Sequence, residues 1–351
     1  MNRPEVGSSA TRSAGADATA SRRALPQGRS RFKITKGLCV LAAILQAATA
    51  LADTAEEDGF LVERDNVEIA PAKSVHVDGL DVDNRLGDIQ IIGRDQPGIS
   101  LAVIKRAPDD ATLDRLKVNL VPDAQAGVVR ISTALLIGTE ARPIATSQVR
   151  IDIKVFVPRM VAIQARAWNG KLAVTGTEQG ATLLAHDGDI VVSNVKGPVT
   201  TTSMRGRQHL SDVRGVVSAD DTFGDLALDE ISGEALAARV HRGTVTATRV
   251  RSRAVSISTT FGDIEFRGEL LAGGRYELRS YQGNVNVHGV GSARVDAFSR
   301  GGQIHPEMEL RDMLQSELGR MTGSFGASDS PAVLLMSSAG GRVVFGLTPT
   351  P

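Results

Sequence analysis

Histidines are the side chains in this sequence best suited to acid–base or metal chemistry, and five of the six fall in a regular repeat. His186 and His241 each stand two residues before a repeated glycine, three repeat units apart. If the units stack at the spacing of β-strands, these rings lie about 14 Å apart. Metal–ligand bonds are about 2 Å long, so one ion cannot bridge them. His209 and His305 share another position, five units apart. We interpret the histidines as surface side chains.

The second group with chemical potential is a set of four aspartates: Asp220, Asp221, Asp225 and Asp229. Clustered carboxylates can bind calcium, and Arg239 or Arg242 could supply the basic residue that carbohydrate lyases combine with such clusters. The repeat units are short, however, and have no long loops to build a cleft around the cluster. A solvated acidic face is the interpretation that this pattern favours.

Other signatures of catalysis do not occur in the sequence. It contains no Gly-x-Ser-x-Gly elbow, no His-Glu-x-x-His pair and no phosphate-binding loop, and its one cysteine is Cys39. We therefore expect a protein that is not an enzyme, with no catalytic, cofactor-binding or metal-binding residues and no cofactor.

The elements that carry these residues are defined by a repeated glycine. We call its members the anchor glycines: Gly170, Gly188, Gly206, Gly224, Gly243, Gly262, Gly283, Gly302 and Gly341. Successive spacings are 18, 18, 18, 19, 19, 21 and 19 residues, and the last interval of 39 is interpreted as two units with an irregular one between. Apolar residues at the second and fourth positions after each glycine predict a strand with one buried face.

Each unit is expected to contain two strands and two corners. A second apolar marker follows seven residues after the glycine, at Val195, Val213, Ile231, Val250 and Val290. The strand that returns to the next anchor has these expected inward residues: Val199, Val217, Val255, Tyr276, Val295 and Val333. Gln208 is polar at an inward position, which predicts a local bulge or a hydrogen-bonded core amide.

Polar residues directly follow the anchors: Lys171, Asp189, Arg207, Asp225, Thr244, Asp263, Asn284 and Gln303. Stacked units would align these side chains in an outward ladder at the strand spacing. Charges alternate in sign from Lys171 to Asp225, so we expect ion pairs between neighbouring units there. Exposed pairs of this kind contribute at most about 1 kcal/mol each, and their expected role is registry and solubility.

The pattern predicts an all-β fold, a single-chain β-solenoid of stacked coils of about 19 residues with an N-terminal β-hairpin and capping region. A β-sandwich also has short strands, but nothing in it requires one register through nine units. Aromatic residues make up only 3% of the chain, which fits a narrow core of stacked aliphatic side chains. We expect an N-terminal β region and solenoid start over 53–160 and regular coils over 161–347. Residues 306–322 form an excursion, either a short helix or strands.

Residues 1–52 are interpreted as a signal peptide with a long basic n-region. Basic residues from Arg29 to Lys36 precede an apolar run, Leu38 to Ala52, that ends in an A-x-A-like cleavage site. A run of 15 residues is short for a permanent span, so no stable membrane span is expected after cleavage. Cleavage would leave 32 basic and 38 acidic residues, a balance that argues against nucleic acid as a partner.

Several segments together resemble a known bacterial family: Asn84–Ile89, Thr222–Leu226, Thr260–Ile264, Val157–Arg159, Gly323–Gly326 and Ser337–Gly341. The chain is similar to the "putative adhesin" family of exported β-solenoid domains of unknown function, over most of Val67 to Phe345. This chain has Gly302-Gln303 and Gly341-Arg342 where the family usually has Gly-Asp. The resemblance implies a fold and no catalytic residues.

The expected function is that of a non-enzymatic, adhesin-like scaffold or binding module, exported to the periplasm or cell surface of a bacterium. Its partner would be an unknown envelope protein or glycan. One alternative is a carbohydrate-active β-helix enzyme that uses the acidic group. The other is a self-assembling envelope structural protein that associates end to end. For that alternative, Pro349 and Pro351 after the last coil would protect its exposed edge.

Overall fold

The protein is all-β in the computed structural model, which describes residues 51–57, 59–69, 77–123, 125–136, 146–316 and 318–347. The predicted signal peptide lies outside these ranges except for its last two residues, Leu51 and Ala52, which belong to the first strand. A single α-helix occurs in the described ranges, α1 (Asp110–Leu113), and its four residues fall far short of a membrane-crossing length.

The strands of the N-terminal part are β1 (Leu51–Glu57), β2 (Phe60–Ile69), β3 (Gly79–Asn84), β4 (Ile89–Arg94), β5 (Ile99–Ala107), β6 (Leu116–Asp123), β7 (Val128–Leu135) and β8 (Arg150–Pro158). Those of the central part are β9 (Ala162–Asn169), β10 (Leu172–Thr175), β11 (Ala181–Asp187), β12 (Ile190–Lys196), β13 (Val199–Arg205), β14 (Gln208–Arg214), β15 (Val217–Phe223), β16 (Leu226–Arg242), β17 (Val245–Phe261) and β18 (Ile264–Leu270). The C-terminal strands are β19 (Arg275–Gln282), β20 (Val285–Gly291), β21 (Ala293–Ser299), β22 (Ile304–Pro306), β23 (Arg311–Ser316), β24 (Arg320–Phe325), β25 (Ala332–Ser338) and β26 (Val343–Leu347).

The central strands pair in parallel with the strand one repeat further along the chain. Ile190 of β12 pairs with Gln208 of β14, and Val199 of β13 pairs with Val217 of β15. Each coil therefore contributes one strand to each of two faces. Face A contains β9, β11, β13, β15 and β19, and face B contains β10, β12, β14, β18 and β20. Strands β16 and β17 turn the corner without a break, so each contributes to both faces.

Anchor glycines lie in one column along the stack. A Cβ on Gly188 would lie 2.0 Å from the carbonyl oxygen of Gly170, and a Cβ on Gly224 would lie 1.9 Å from that of Gly206. The column extends to Gly87, whose carbonyl oxygen lies 2.3 Å from the Cβ position of Gly170. Only glycine can occupy this corner, because a side chain would meet the backbone of the preceding coil.

The core is a line of aliphatic side chains from both faces. The apolar residues at the second and fourth positions, such as Leu172, Ile264 and Val343, are buried in every coil except that of Gly302, where Ile304 is only partly buried. Gln208 is also buried, so the expectation of a hydrogen-bonded core amide is confirmed. The prediction for Val333 is wrong by one residue: it pairs with Arg275 on the outer surface, and its neighbours Ala332 and Leu334 face the core.

The prediction that Val290 is buried is also wrong, since half of its surface is exposed (50%). In four central coils the sixth residue after the anchor has a left-handed conformation: Asn194, Asp212, Glu230 and Arg249, with φ from 47 to 57°. This local kink turns the seventh residue inward. The Gly283 coil keeps simple alternation, so Gly289 faces the core and Val290 faces solvent.

Coils at the C-terminal end do not stack in chain order. Strand β26 pairs with β20 on one side and β22 on the other. Strand β25 likewise lies between β19 and β21. The coil of Gly341, expected as the outermost, is therefore inserted between the coils of Gly283 and Gly302. Pro349 and Pro351, expected to protect its edge, lie outside the described residues.

The chain between Gly302 and Gly341 forms an antiparallel hairpin, β23–β24, rather than an extra coil. Strand β24 pairs with β21 at the outer side of the stack. Of the two expectations for residues 306–322, strands are therefore observed and a helix is not. This hairpin extends face A beyond the last coil.

The N-terminal end shows the same exchange of order. Strands β7 and β8 pair with β3 and β4 on their outer side, although they follow them in the chain. Strands β3 and β4 in turn pair with β9 and β10. Antiparallel strands complete the end: β5 pairs with β8, β2 with β5, β1 with β2, and β6 with β7.

Candidate functional site

The stack separates the four aspartates that the sequence places close together. Asp220 faces out of face A beside Arg239, whereas Asp221 faces the core. Asp229 faces out of face B, where it accepts a hydrogen bond from Thr248 Oγ1 at 2.5 Å. Asp225 lies at the corner between the faces and accepts a hydrogen bond from the backbone N–H of Thr244. The described residues therefore do not bring three or more of these carboxylates together around one metal ion.

Asp225 belongs to a ladder whose chemistry differs from the expected ion pairs. Ladder aspartates accept hydrogen bonds from the backbone N–H of the next coil: Asp88 from Lys171 (2.7 Å), Asp189 from Arg207 (2.8 Å) and Asp263 from Asn284 (2.7 Å). The described residues contain no ion pair among Lys171, Asp189, Arg207 and Asp225. The Gly-Asp pair thus joins coils through the backbone, because the corner leaves that N–H without a carbonyl partner.

Asp221 belongs to a buried polar group with Gln208 and Thr201. Gln208 Nε2 donates to Asp221 Oδ2 at 3.0 Å and to the Asp220 carbonyl at 2.7 Å, and Thr201 Oγ1 donates to Gln208 Oε1 at 2.6 Å. Asp221 is 5% exposed, and its Oδ1 has no hydrogen-bond partner among the described residues. Burial raises the pKa of Asp221 to about 6.

Four coils further along the chain have a hydroxyl group at the position of Asp221. Three residues before their anchors, Thr259, Ser280, Ser338 and Ser299 occupy the same inner position as Asp221. Each hydroxyl donates to an anchor carbonyl in the adjacent coil; Ser280 Oγ, for example, donates to Gly262 O at 2.9 Å. A carboxyl group can donate in this way only when it is protonated.

His186 and His241 lie in separate coils, as their spacing predicted, and both contact aromatic rings. His186 stacks on Trp168 with ring centroids 5.5 Å apart and an interplanar angle of 24°. His241 meets the rings of Phe223 and Phe261 edge-on, at 6.2 and 5.6 Å. The part of the chain that the structure describes contains no group of three or more histidine, cysteine or acidic residues placed to hold a metal.

These contacts belong to a longer feature, which we call the corner ridge. It consists of large side chains one or two residues before successive anchor glycines: Trp168, His186, Met204, Phe223, His241, Arg242, Phe261 and Tyr281. Their strands are neighbours on face A, so the ridge runs along the stack through seven coils. At about 4.8 Å per coil it is about 29 Å long.

Aromatic rings are exposed along the ridge, in a chain that is poor in aromatic residues. Trp168, Phe223, Phe261 and Tyr281 are 37–61% exposed. A core of stacked aliphatic residues does not need these rings, and each leaves apolar surface in water. Contiguous exposed apolar surface of this kind marks interaction sites in soluble proteins.

The centre of the ridge places an arginine beside two aromatic rings. Arg242 lies between two aromatic rings, with its Cζ 5.7 Å from the Phe223 centroid and 5.6 Å from the Phe261 centroid. Both distances allow cation–π attraction. We call Phe223, His241, Arg242 and Phe261 the ridge centre. The arrangement fixes an exposed cation between two apolar surfaces.

Sequence reasoning missed the ridge because it treated the histidines and aromatic residues singly. A signal was available, since Trp168 and Tyr281 stand two residues before an anchor, and Phe223 and Phe261 one residue before. Comparing exposed residues at the same position in each repeat, as was done for buried residues, would have placed these aromatic residues in one column.

No protein-family model and no curated protein matches the chain. Several solved structures are similar to it. A "putative adhesin" from Bacteroides fragilis is 13% identical with a TM-score of 0.41, over 82% of this chain and 98% of that one. A "putative lipid binding protein" from Parabacteroides distasonis is 10% identical with a TM-score of 0.39, over 81% and 96%. A "putative cell adhesion protein" from Clostridium sporogenes is 8% identical with a TM-score of 0.24, over 82% and 100%.

Two of these three structures have adhesion names, the description used for the family that the sequence resembles. Such distant likeness transfers no partner and no activity to this chain.

Proposed function

We propose that this chain is an exported β-solenoid that acts as a non-enzymatic, adhesin-like binding module in the periplasm or on the surface of a bacterial cell. Its binding face is the corner ridge, and its partner is an envelope glycan or protein. The observation that carries this proposal is the alignment of exposed aromatic, histidine and arginine side chains along one corner of the stack.

The geometry of the stack supports binding rather than catalysis. Coil corners are short, and the ridge projects from the surface, so a partner would lie along the ridge instead of entering a pocket. Rigid aromatic rings lose little conformational entropy on binding. The alternative of a carbohydrate-active enzyme depended on the four aspartates, which the stack holds apart, and we do not propose it.

The test is capture of partners from a bacterial envelope extract by the purified protein and by a Phe223→Ser/Phe261→Ser double variant. Both rings are exposed, so the variant is expected to fold and to lose most of the captured material. Leu184→Ser is the control, because Leu184 is equally exposed on face A but lies outside the ridge. Equal capture by all three proteins would exclude the ridge as the binding face.

A second candidate function, end-to-end self-association, is favoured by one observation. Strand β23 is the outer edge of face A at the C-terminal end, and all six of its residues are exposed. It includes Leu314, which is 73% exposed. A strand edge that carries an exposed apolar side chain can pair with another chain.

A further inference from the structure

We propose that the ridge centre binds an acidic sugar residue of an extended polysaccharide, with the Arg242 guanidinium holding the carboxylate between the rings of Phe223 and Phe261. This inference rests on the proposed function and specifies the chemistry of its partner. Three features of the ridge centre support it: its charge, its fixed arginine and its shape.

The first feature is the charge of Arg242. Arg205 and Arg242 occupy the same place in the repeat, each directly before an anchor glycine. Arg205 forms an ion pair with Asp187 of the preceding coil, and on face A Arg239 pairs with Asp220. Arg242 forms no ion pair with any described residue. Its positive charge is available for an anion from outside the chain.

The second feature is the position of the Arg242 side chain, which lies between two aromatic rings. A free arginine side chain loses much rotational freedom when it binds, which weakens exposed ion pairs. Here the rings of Phe223 and Phe261 lie on either side of the guanidinium, and the edge of His241 meets both rings. The guanidinium held between the rings can offer its N–H groups to a planar, bidentate acceptor such as a carboxylate.

The third feature is the shape of the ridge, which favours a polysaccharide over a peptide. The backbone groups under the ridge are already paired between coils: Gly224 N–H donates to Arg242 O and Gly243 N–H donates to Phe261 O. A peptide therefore finds no strand edge to extend. A sugar polymer needs none, because the apolar faces of its rings pack on aromatic side chains. Tyr281, two coils beyond Arg242 and about 10 Å away, offers the next exposed ring.

The test uses oligogalacturonate and a carboxyl-reduced sample of the same length, with binding measured by calorimetry. We expect the parent protein to bind the acidic oligomer at least about tenfold more tightly than the neutral one. Arg242→Gln should lose this preference. Arg205→Gln is the matched control: it removes an exposed arginine at the same repeat position, already paired with Asp187, and should change affinity less than about twofold.

Each other outcome has a defined meaning. Equal binding of acidic and neutral oligomers would overturn the role of Arg242 and leave the proposed function standing. No binding of either oligomer, with the extract capture still dependent on the ridge, would overturn the sugar assignment alone. Polyglutamate bound as tightly as oligogalacturonate would show that any extended polyanion fits, which also overturns it. Unchanged melting temperatures of both arginine variants would show that lost binding is not lost folding.

Discussion

The middle and the ends of the stack are built from the same coil but connected differently. From β11 to β18, each coil packs on the coils that precede and follow it in the chain. At each end the two outermost coils are exchanged, so that β25–β26 lies inside β21–β22 and β3–β4 lies inside β7–β8. In both cases an antiparallel excursion separates the exchanged coils in the chain.

This difference shows what a repeat does and does not determine. The anchor glycine and the alternating apolar residues define a coil and its two contact surfaces. They do not define which coil it contacts. In the middle, short connections leave only the next coil within reach. At the ends, the long excursions allow a later coil to return and pack against an earlier one.

The largest expected effect comes from adding a methyl group to the glycine column. In Gly224→Ala the new Cβ would lie 1.9 Å from the Gly206 carbonyl, and coils on both sides prevent a shift. We expect a loss of more than about 4 kcal/mol in the free energy of unfolding, measured by urea titration. In Gly302→Ala the new Cβ would lie 2.3 Å from the Gly341 carbonyl oxygen. The coil of Gly302 has a neighbouring coil on one side only, so it can move outward and the loss of stability should be smaller. Equal losses in both variants would show that the ends are as constrained as the middle.

A cavity in the inserted coil tests whether it supports the outer one. Phe345 is buried in β26, and its replacement by Ala should cost about 3 kcal/mol. Hydrogen exchange should accelerate in β26 and also in β21 and β22. These two strands precede β26 in the chain, but they pair only with β24, β25 and β26, so they depend on the inserted coil. A matched cavity in the middle, Leu228→Ala, should accelerate exchange on both sides of its coil. Unchanged exchange in β21 and β22 of the Phe345 variant would contradict the inserted order.

The repeat made most of the coil predictable from sequence. Period-two alternation after each anchor correctly assigns residues such as Leu172 and Ile264 to the core, and the polar exception Gln208 is a bonded core amide. Val290 could not be placed, because its orientation depends on a left-handed residue that occurs in four coils and not in its own. The order in which the end coils stack could not be predicted either, because nothing in the sequence of the Gly341 repeat distinguishes an inner coil from an outer one.

The candidate site was harder to predict than the fold. The four neighbouring aspartates suggested a cluster, yet alternation along β15 sends Asp220 outward and Asp221 inward. The residues of the ridge centre do not form a cluster in the sequence. Arg242 is 19 residues from Phe223 and 19 from Phe261, and the three side chains meet only because the coils stack. Sites on stacked coils are therefore visible as aligned repeat positions and not as local motifs.

A smaller effect is expected from Asp221, the middle-coil counterpart of Ser280 and Ser338. Because its pKa is raised from 3.8 to about 6, the folded state holds a proton between these values that the unfolded state releases. Its contribution to stability is therefore highest below pH 4 and falls as pH rises through 6. Relative to Asp221→Asn, the parent should lose about 2 kcal/mol between pH 4 and pH 7, measured by urea titration. Asp225→Asn, which changes a corner carboxylate, should not remove this slope, and a slope that persists in Asp221→Asn would assign it elsewhere.

The smallest effect on stability, with a clear effect on assembly, is expected at the outer hairpin. Leu314 is exposed in β23, and its replacement by Lys should change the free energy of unfolding by less than about 0.5 kcal/mol. Among the outer strands at the two ends, β6 contains Pro122 and β22 contains Pro306, which interrupt edge pairing, whereas β1 and β23 contain no proline. If β23 pairs with a second copy, light scattering at high concentration should show a larger species for the parent and a monomer for Leu314→Lys. The charged side chain opposes strand pairing at an edge, as lysine does in natural sheets. A parent protein that stays monomeric would remove self-association and leave the two ends equivalent.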